Sequence, residues 1–287
     1  RSPALARWVI EQGGVVYGAY LDGEHDLYHT KITEAKDIKK LQNSKYFQSE
    51  IRAAYKTCKA DLQEGRLVLF TGTPCQVQGL KLFIKKDFEN LLTADLICHG
   101  VPSKKMFDAY VAFLEKKHGG KLTDINFRDK ERHGWSTTLR YTMEYQDGKR
   151  EDYHLISQLS EYFTAFLRGA IARESCYTCQ FASMNRPGDI TLGDFWGYQK
   201  KRPDLRHDQG LSLIISNSAK GEKVIHELRN HGVCLTEVDE ECVKVSGNRN
   251  LYFPLQRPEI RDRVYVELEQ FGFEYIARMY FRKTQTV

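Results

Sequence analysis

Two cysteines and the glycine-containing segment that follows them constrain this chain more than any other feature. Cys176 and Cys179 are three positions apart, a spacing that lets both thiolates face one metal centre. The segment 188–197 contains three glycines, and glycine allows the main chain close approaches that a Cβ atom would block. Two thiolates do not complete a four-coordinate site. The other ligands must come from elsewhere in the chain, and the candidates are Cys75 and Cys98.

Composition and charge exclude several classes of protein. The chain has 287 residues, of which 41% are hydrophobic, enough for a substantial core in one or two domains. No apolar run approaches the length of a membrane span and no signal-peptide pattern is present, so we expect a soluble cytoplasmic protein. The net charge of +5 arises from 43 basic and 38 acidic residues that are scattered along the chain, which does not favour nucleic acid as a partner. Seven cysteines are an odd number and favour reduced thiols over a disulfide framework.

Hydrophobic periodicity predicts a mixed α/β fold. Before residue 66 the expected order is a helix at 4–12, strands at 15–20 and 27–32, a helix at 34–41, a polar loop at 43–49 and a helix at 50–63. From residue 103 the expected order is a helix at 103–117, strands at 124–128, 136–145 and 151–155, a helix at 158–169, a strand at 212–216 and helices at 219–230 and 261–281. The fold class is therefore α/β (mixed α+β), with an antiparallel insertion and C-terminal helices.

Two further strands place cysteines at their ends. The run 66–70 is continuously apolar and suits a buried strand, and the run 92–97 is similar. Cys75 then stands on a loop after the first strand and Cys98 on a loop after the second. In open α/β sheets ligands gather outside the carboxyl ends of strands, so we expect these two cysteines to be neighbours.

The cysteine spacing leaves the identity of the metal open. Taken alone, the Cys176 and Cys179 pair suits zinc and an iron-sulfur cluster equally, because both accept thiolate ligands. One close pair with two single cysteines is less typical of structural zinc, which is usually bound by two close pairs, and so favours a cluster. The remaining cysteines have no glycine neighbours and are expected to be core residues; they are Cys58, Cys234 and Cys242.

A few polar residues are candidates for ligand binding, although each has an ordinary alternative. His99 beside Gly100 is either a ligand or a residue that hydrogen-bonds within its loop. Lys45 and Lys130 are either functional cations or solvated charges. A polar edge that suits a ligand is indicated by a group of residues, namely Arg128, Asp129, Lys130 and Trp135.

Several short motifs together resemble the beta subunit family of coenzyme F420 hydrogenases and dehydrogenases. Their order and approximate spacing match the family along residues 13 to about 216. The motifs are Ser44-Lys45-Tyr46-Phe47-Gln48-Ser49, Gly72-Thr73-Pro74-Cys75-Gln76, Cys98-His99-Gly100-Val101-Pro102-Ser103, Phe127-Arg128-Asp129-Lys130 and the segment from Cys176 to Gly197. Asn43 departs from the pattern, because the family usually has glycine before Ser-Lys-Tyr.

The resemblance implies an iron-sulfur flavoprotein oxidoreductase that moves electrons between a 4Fe-4S cluster and FAD. The implied cluster ligands are Cys75, Cys98, Cys176 and Cys179. The implied flavin-binding residues are Ser44, Lys45, Tyr46, Gly72, Thr73, Pro74, His99, Gly100, Arg128 and Lys130. The implied electron partner is a ferredoxin or a hydrogenase or dehydrogenase subunit, and the other substrate is a small-molecule hydride acceptor.

The resemblance also implies an organisation of the chain. Residues 1–63 would form a flavin-side unit, 64–216 the cluster- and flavin-binding unit, and 217–287 a C-terminal extension of strand and helix. A ferredoxin-like module is expected upstream of residue 1.

The hydride acceptor is left open by the sequence. Some members of the family exchange hydride with the deazaflavin coenzyme F420, whereas others resemble reductases of different substrates or stand in polysaccharide loci. F420 is a polyanion, and its candidate contacts are Arg128, Lys130, Arg132 and Arg186, with Trp135 and Trp196 as possible walls. The alternative from another class is a zinc-stabilised binding module without redox activity.

Overall fold

The computed structural model describes residues 2–132, 134–205, 207–244 and 247–282, which form two compact units. The first unit consists of Arg1–Gln42, Ser49–Cys98 and Gln180–Phe253. The second consists of Asn43–Gln48, His99–Cys179 and Pro254–Val287. The sequence analysis expected three consecutive segments, 1–63, 64–216 and 217–287. Each compact unit is assembled from separate stretches of the chain, and the roles expected for the three segments stay predictions.

The strands and helices expected from the sequence are present, and a helix at 74–84, a strand at 190–194 and a short helix at 240–244 are found in addition. The strands are β1 (Val15–Leu21), β2 (Leu27–Ile32), β3 (Val68–Gly72), β4 (Leu91–Leu96), β5 (Lys121–Asp129), β6 (Thr138–Glu144), β7 (Arg150–Ile156), β8 (Ile190–Asp194) and β9 (Ser212–Ser216). The α-helices are α1 (Ser2–Glu11), α2 (Ile38–Leu41), α3 (Ala54–Gln63), α4 (Pro74–Ile84), α5 (Lys104–His118), α6 (Glu161–Leu167), α7 (Ala219–Asn230), α8 (Glu240–Lys244) and α9 (Arg261–Ile276).

The first unit is built on a six-stranded sheet with the order β2-β1-β3-β4-β8-β9. The four central strands are parallel, and the two edge strands pair antiparallel to their neighbours. One face of the sheet packs against α1 and α7 through residues such as Val9 and Val224. The other face packs against α3 and α4 through residues such as Leu62 and Leu80. Helices on both faces explain why the central strands are apolar along nearly their whole length.

The second unit contains the antiparallel sheet β5-β6-β7 and the helices α5, α6 and α9. Helix α5 begins after Ser103, whose hydroxyl accepts a hydrogen bond from the Met106 amide, and ends at Gly119 in the left-handed conformation. Helix α9 packs on α5 through the ring of Phe273, which lies 5.2 Å from that of Tyr110. The predicted mixed α/β fold, with its antiparallel insertion and C-terminal helices, is thus confirmed.

Two local expectations differ from the structure. Helix α3 begins at Ala54 rather than at residue 50. Cys58 and Cys242 are buried as expected, but Cys234 is exposed, so its assignment to the core was wrong: it follows α7 in a segment without regular structure. Within the described residues, no helix combines the length and apolar character that a membrane span requires.

Candidate functional site

Cys75 and Cys98 follow the carboxyl ends of adjacent parallel strands. In the register of β3 and β4, Gly72 lies opposite Asp95, so the two strands end at the same edge of the sheet. Strand β8 is the next parallel neighbour of β4 and ends at that edge too. The sheet thus gives the first unit the strand-end arrangement in which ligands of α/β proteins are commonly held.

Cys75 does not lie on a loop, as the sequence had suggested, but in the first turn of α4. Thr73 is the N-cap and Pro74 the first helical residue, while the Gln76 side chain accepts a hydrogen bond from the Thr73 amide at 3.0 Å. Threonine, proline and glutamine at this spacing are a helix-start signal that was present in the sequence. The Cys75 sulfur is exposed and lies 3.1 Å from the Thr73 hydroxyl. Burial, together with this nearby sulfur, raises the pKa of Tyr55 to about 12.

Two buried side chains hold the turn between β3 and α4, and sequence reasoning missed both. The Gln76 amide donates to the Ser49 carbonyl at 3.0 Å. His29 Nε2 lies 3.0 Å from the Thr71 carbonyl and therefore donates to it, while Nδ1 accepts from the Ser49 hydroxyl at 2.8 Å. The His29 ring also stacks on Phe70, with centroids 5.2 Å apart. A signal existed for His29, because it occupies an inward position of the alternating strand β2.

Gly72 fits closely beneath these side chains. A Cβ atom added at Gly72 would lie 3.2 Å from Gln76 Oε1 and 3.3 Å from His29 Nε2. The packing alone therefore favours glycine at this position, and the roles of Gly72, Thr73 and Pro74 in flavin binding stay predictions.

In the second unit, the segment after Cys98 packs directly against the Cys176 turn. The Arg173 amide donates to the Val101 carbonyl at 3.0 Å. Gly100 has a φ of +88°, and a Cβ atom built there would lie 3.5 Å from the Cys176 Cβ atom. The left-handed φ explains why glycine occupies this position, and the same Cβ atom would also lie 3.2 Å from Leu255 Cδ2 and 3.3 Å from the Ala172 Cβ atom. The fold thus brings Gly100 to Cys176, although 76 positions separate them in the sequence.

Cys176 and Cys179 lie in a short turn that is fastened on both sides. Cys176 ends a 3₁₀ turn that begins at Glu174, and both cysteines are partly exposed. The carboxylate of Glu174 accepts a hydrogen bond from Arg257 Nε at 2.7 Å. The hydroxyl of Tyr177 donates to the Gly169 carbonyl at 2.5 Å. These contacts fix the backbone that carries the pair of thiols.

The four predicted cluster ligands are divided between the units. Cys75 and Cys98 belong to the first unit, whereas Cys176 and Cys179 belong to the second. Among the residues that the structure describes, no three or more His, Cys, Asp or Glu side chains form a group that could hold a metal ion. The ligand set therefore stays a prediction.

Two predicted flavin residues of the second unit share an aromatic neighbour. The Tyr46 ring stacks on Phe166 with centroids 4.5 Å apart and meets the edge of Phe127 at 5.5 Å. The His99 ring lies 5.3 Å from the same Phe166 ring. The Tyr162 hydroxyl donates to the Tyr46 carbonyl at 2.9 Å. The segment containing Ser44, Lys45 and Tyr46 is therefore held firmly within this unit.

The cationic candidates of the second unit differ in burial. Lys45 is partly buried, and burial lowers the pKa of its ammonium group to about 8. Arg128 is only 8% exposed, whereas Lys130 is partly exposed. Asp129 is buried too, and its Oδ2 atom lies 3.3 Å from Nδ1 of His154. The Asp129 side chain is thus buried beside His154 and does not form part of an exposed polar edge.

Arg186 is not available to bind a coenzyme, so its assignment to the F420 contacts was wrong. Its guanidinium is 1% exposed and lies 2.6 Å from the carboxylate of Asp95, which is fully buried. The same guanidinium donates to the carbonyls of Phe181 at 2.7 Å and Leu96 at 2.8 Å. Its charge and its donors are therefore used within the first unit.

A second buried carboxylate lies beside this ion pair, between β4 and β8. Burial alone would raise the pKa of Asp189, but hydrogen bonds from Thr93 and Ser218 outweigh it and lower the pKa. The carboxylate is thus held in its ionised form as part of the framework of the sheet.

Comparison with known proteins supports the relationship that the motifs indicated. A family model matches residues 65–241, and it describes the C terminus of the beta subunit of coenzyme F420 hydrogenase/dehydrogenase. Among solved structures, the chain is similar to one in the xenon-derivatised F420-reducing NiFe hydrogenase complex from Methanosarcina barkeri. The identity is 15%, the match covers 95% of this chain and 86% of that chain, and the TM-score is 0.51. At this identity the likeness shows a common fold. No curated protein matches the chain.

Proposed function

Because the chain belongs to the coenzyme F420 hydrogenase/dehydrogenase beta subunit family, we propose that it is an iron-sulfur flavoprotein oxidoreductase subunit. Its resident cofactors would be a 4Fe-4S cluster and FAD, and its organic substrate a hydride acceptor, with coenzyme F420 as the first candidate. A flavin takes up two electrons and a cluster passes one at a time, so the two together connect hydride chemistry to one-electron carriers.

The observation that carries the proposal is the contact between Gly100 and Cys176. It brings the segment that follows Cys98 to the turn that holds two of the predicted ligands. Cysteine thiolates are the ligands that iron-sulfur clusters use. In the proposal the cluster is held by Cys75, Cys98, Cys176 and Cys179.

The position of Cys75 in α4 suits a thiolate ligand. The first turn of a helix presents unpaired N–H groups and a partial positive charge, which stabilise a negative sulfur. The side chains of Gln76 and His29 hold the turn in place through Ser49 and Thr71. These residues would act on the cluster only by positioning its ligand.

Lys45 is the residue that we propose to stabilise the negative charge of a reduced flavin. A cation with reduced exposure to water interacts more strongly with a neighbouring anion than a solvated one does. Burial also lowers the pKa of Lys45 to about 8, so the group is still mostly protonated near neutral pH. Tyr46 and His99, packed on Phe166, would keep the flavin-binding segments in place.

The substrate and the partners belong to the same proposal. Without Arg186, the cations proposed for the anionic tail of F420 are Arg128, Lys130 and Arg132. The similar chain belongs to a multi-subunit hydrogenase complex, which supports a hydrogenase or dehydrogenase subunit, or a ferredoxin, as the electron partner. A cytoplasmic location is proposed as well.

Metal analysis after anaerobic purification tests the cluster. We expect iron and acid-labile sulfide in about equal amounts, and loss of both in Cys98→Ser and Cys176→Ser. Cys234→Ser is the matched control, because that thiol is exposed and outside the predicted set. Stoichiometric zinc without sulfide would refute the proposal and favour a zinc-stabilised binding module.

Stopped-flow mixing tests the substrate. The reduced, flavin-loaded protein is mixed with F420, and the flavin absorbance is followed against a buffer control. Reoxidation that F420 does not accelerate, while another acceptor does, would retain the cofactors and exclude F420.

A further inference from the structure

Helices α3 and α4 of the first unit present an exposed apolar surface near the C-terminal end of α4. Leu82 is 64% exposed and Phe83 is 45% exposed. The opposite side of α4 buries Val77, Leu80 and Ile84 against the sheet. Leu82 and Phe83 are therefore not needed for the core of this unit.

The same surface carries more positive than negative charge. Between residues 53 and 63 and between 73 and 86 the chain carries five lysines, which are Lys56, Lys59, Lys81, Lys85 and Lys86. Asp61 is buried and binds the Tyr17 hydroxyl and the Lys31 ammonium, and two exposed carboxylates, Glu64 and Asp87, directly follow the two ranges. Among the described residues, none of the five lysines has a carboxylate oxygen within 4.0 Å. We call these lysines, with Leu82 and Phe83, the α3–α4 surface.

A hollow opens within the α3–α4 surface. It has a volume of ≈ 390 Å³, enough to admit a side chain of another protein, and is lined by Lys59, Leu62, Gln63, Ile84, Lys86 and Phe88. The Lys59 ammonium lies 5.7 Å from the centre of the Phe83 ring, at the border between the hollow and the exposed apolar pair. An apolar centre surrounded by charge is the usual anatomy of a transient protein interface.

We propose that the α3–α4 surface docks an acidic one-electron carrier protein, an inference that rests on the proposed function. Lysines without carboxylate partners would attract the carboxylates of the carrier and accelerate its association. An apolar side chain of the carrier would enter the hollow. Electron-transfer complexes bury little area and dissociate readily, which suits a surface of two exposed apolar side chains rather than a broad apolar face.

The position of the surface on α4 supports a redox partner over other acidic proteins. Cys75 lies in the first turn of the helix and Phe83 eight residues later, a separation of about 12 Å along the helix axis. Cys75 and Leu82 are seven positions apart, so their side chains lie on the same side of the helix. A carrier bound at Leu82 and Phe83 would thus be close to a proposed cluster ligand.

The docking is tested with a gallium-substituted plant-type ferredoxin, which keeps the acidic surface of that carrier but has no redox activity. Its affinity for the anaerobically purified protein is measured by calorimetry at low and at high salt. In the Lys85→Glu/Lys86→Glu variant we expect at least tenfold weaker binding and a smaller dependence on salt. Leu82→Ser should weaken binding with the salt dependence unchanged.

The matched control is Lys39→Glu/Lys223→Glu, which reverses two exposed lysines elsewhere in the first unit. It should bind within about twofold of the parent, because its charges lie outside the surface. Equal affinities for both double variants would overturn the proposal. The proposal would also be overturned if the protein bound anionic lipid vesicles or duplex DNA more tightly than the ferredoxin and lost that binding in Lys85→Glu/Lys86→Glu. Those ligands would then be the favoured occupants.

The redox-inert probe separates this inference from the proposed function. If metal analysis finds no iron or sulfide, the function fails, yet the calorimetry still decides whether the surface binds the acidic carrier. If the cofactors are present, native reduced ferredoxin should reduce them more slowly in Lys85→Glu/Lys86→Glu. Reduction by dithionite should be unchanged in that variant.

Discussion

Replacing Arg186 with methionine is expected to lower the free energy of unfolding by about 3–5 kcal/mol, the usual cost of breaking a buried ion pair. The guanidinium is 1% exposed and the Asp95 carboxylate 0%. Methionine fills much of the same space but has no donor. The variant would leave a buried carboxylate without its counter-ion, and it would also remove the donors to the carbonyls of Phe181 and Leu96.

The hydrogen bonds that Asp95 keeps in Arg186→Met limit the loss in the free energy of unfolding. The carboxylate still accepts hydrogen bonds from the Gly188 amide at 2.9 Å and the Thr191 hydroxyl at 2.8 Å. Hydrogen bonds to a charged group contribute about 1.5–3 kcal/mol each, so these two limit the penalty of the lost cation. Asp95→Asn in the same chain removes the uncompensated charge, and we expect the double variant to recover about 1–3 kcal/mol.

Urea unfolding followed by circular dichroism measures these differences. The matched control is Arg202→Met, because Arg202 Nη2 lies 2.7 Å from Asp204 but the carboxylate is 59% exposed. Exposed pairs contribute about 0–1 kcal/mol. Equal losses in Arg186→Met and Arg202→Met would refute the structural role of Arg186. A coenzyme-binding arginine would instead leave the stability unchanged and weaken the coenzyme.

Three further predictions concern single side chains. FAD affinity, measured by flavin fluorescence, should fall as the pH rises through about 8, because Lys45 is protonated below its lowered pKa and neutral above it. The Lys45→Gln variant should lose this pH dependence of FAD affinity. A parent protein whose FAD affinity does not change with pH would exclude Lys45 as the flavin cation. Lys85→Gly should raise the midpoint of thermal unfolding by about 2 °C, since Lys85 has a left-handed φ of 57° that glycine adopts without strain; an unchanged or lower midpoint would show that the residue is not strained. An aromatic disulfide reagent should modify the exposed Cys234 within seconds but spare Cys58, because burial raises the pKa of the Cys58 thiol to about 12. Comparison of the Cys234→Ser and Cys58→Ser variants identifies which thiol reacts first.

Local signals in the sequence were sufficient for most elements of the fold. The strand 212–216 and the helix 219–230 have the predicted bounds. Helix α5 is shifted by one residue, because Ser103 caps it and Gly119 ends it in the left-handed conformation. These features depend on a cap, a glycine and a period of apolar residues, all of which lie within the segment itself.

A helix at 74–84 is not predicted from the sequence, although the segment contains the signals that begin a helix. The motif around Cys75 suggested a ligand loop, and Gly79 lowers the helix propensity of the segment. In the structure Gly79 lies against Tyr55, and an added Cβ atom would be 2.8 Å from the tyrosine hydroxyl. This contact between two helices explains the glycine, and it is not encoded within the segment 74–84.

Placement of the site depends instead on buried polar pairs that connect distant parts of the chain. Strand β8 is paired with β4 although 93 residues lie between them. Asp95 on β4 binds Arg186, and Thr93 binds Asp189. Each carboxylate is satisfied in this register, whereas a shifted strand would leave one of them buried without its donors, at a cost of several kcal/mol. A sequence supplies the charges but not their partners, so Arg186 was taken for a surface cation. The same pairs fix the strand ends beside which Cys98 lies, and the geometry of the proposed cluster site therefore depends on residues that would never contact the cluster.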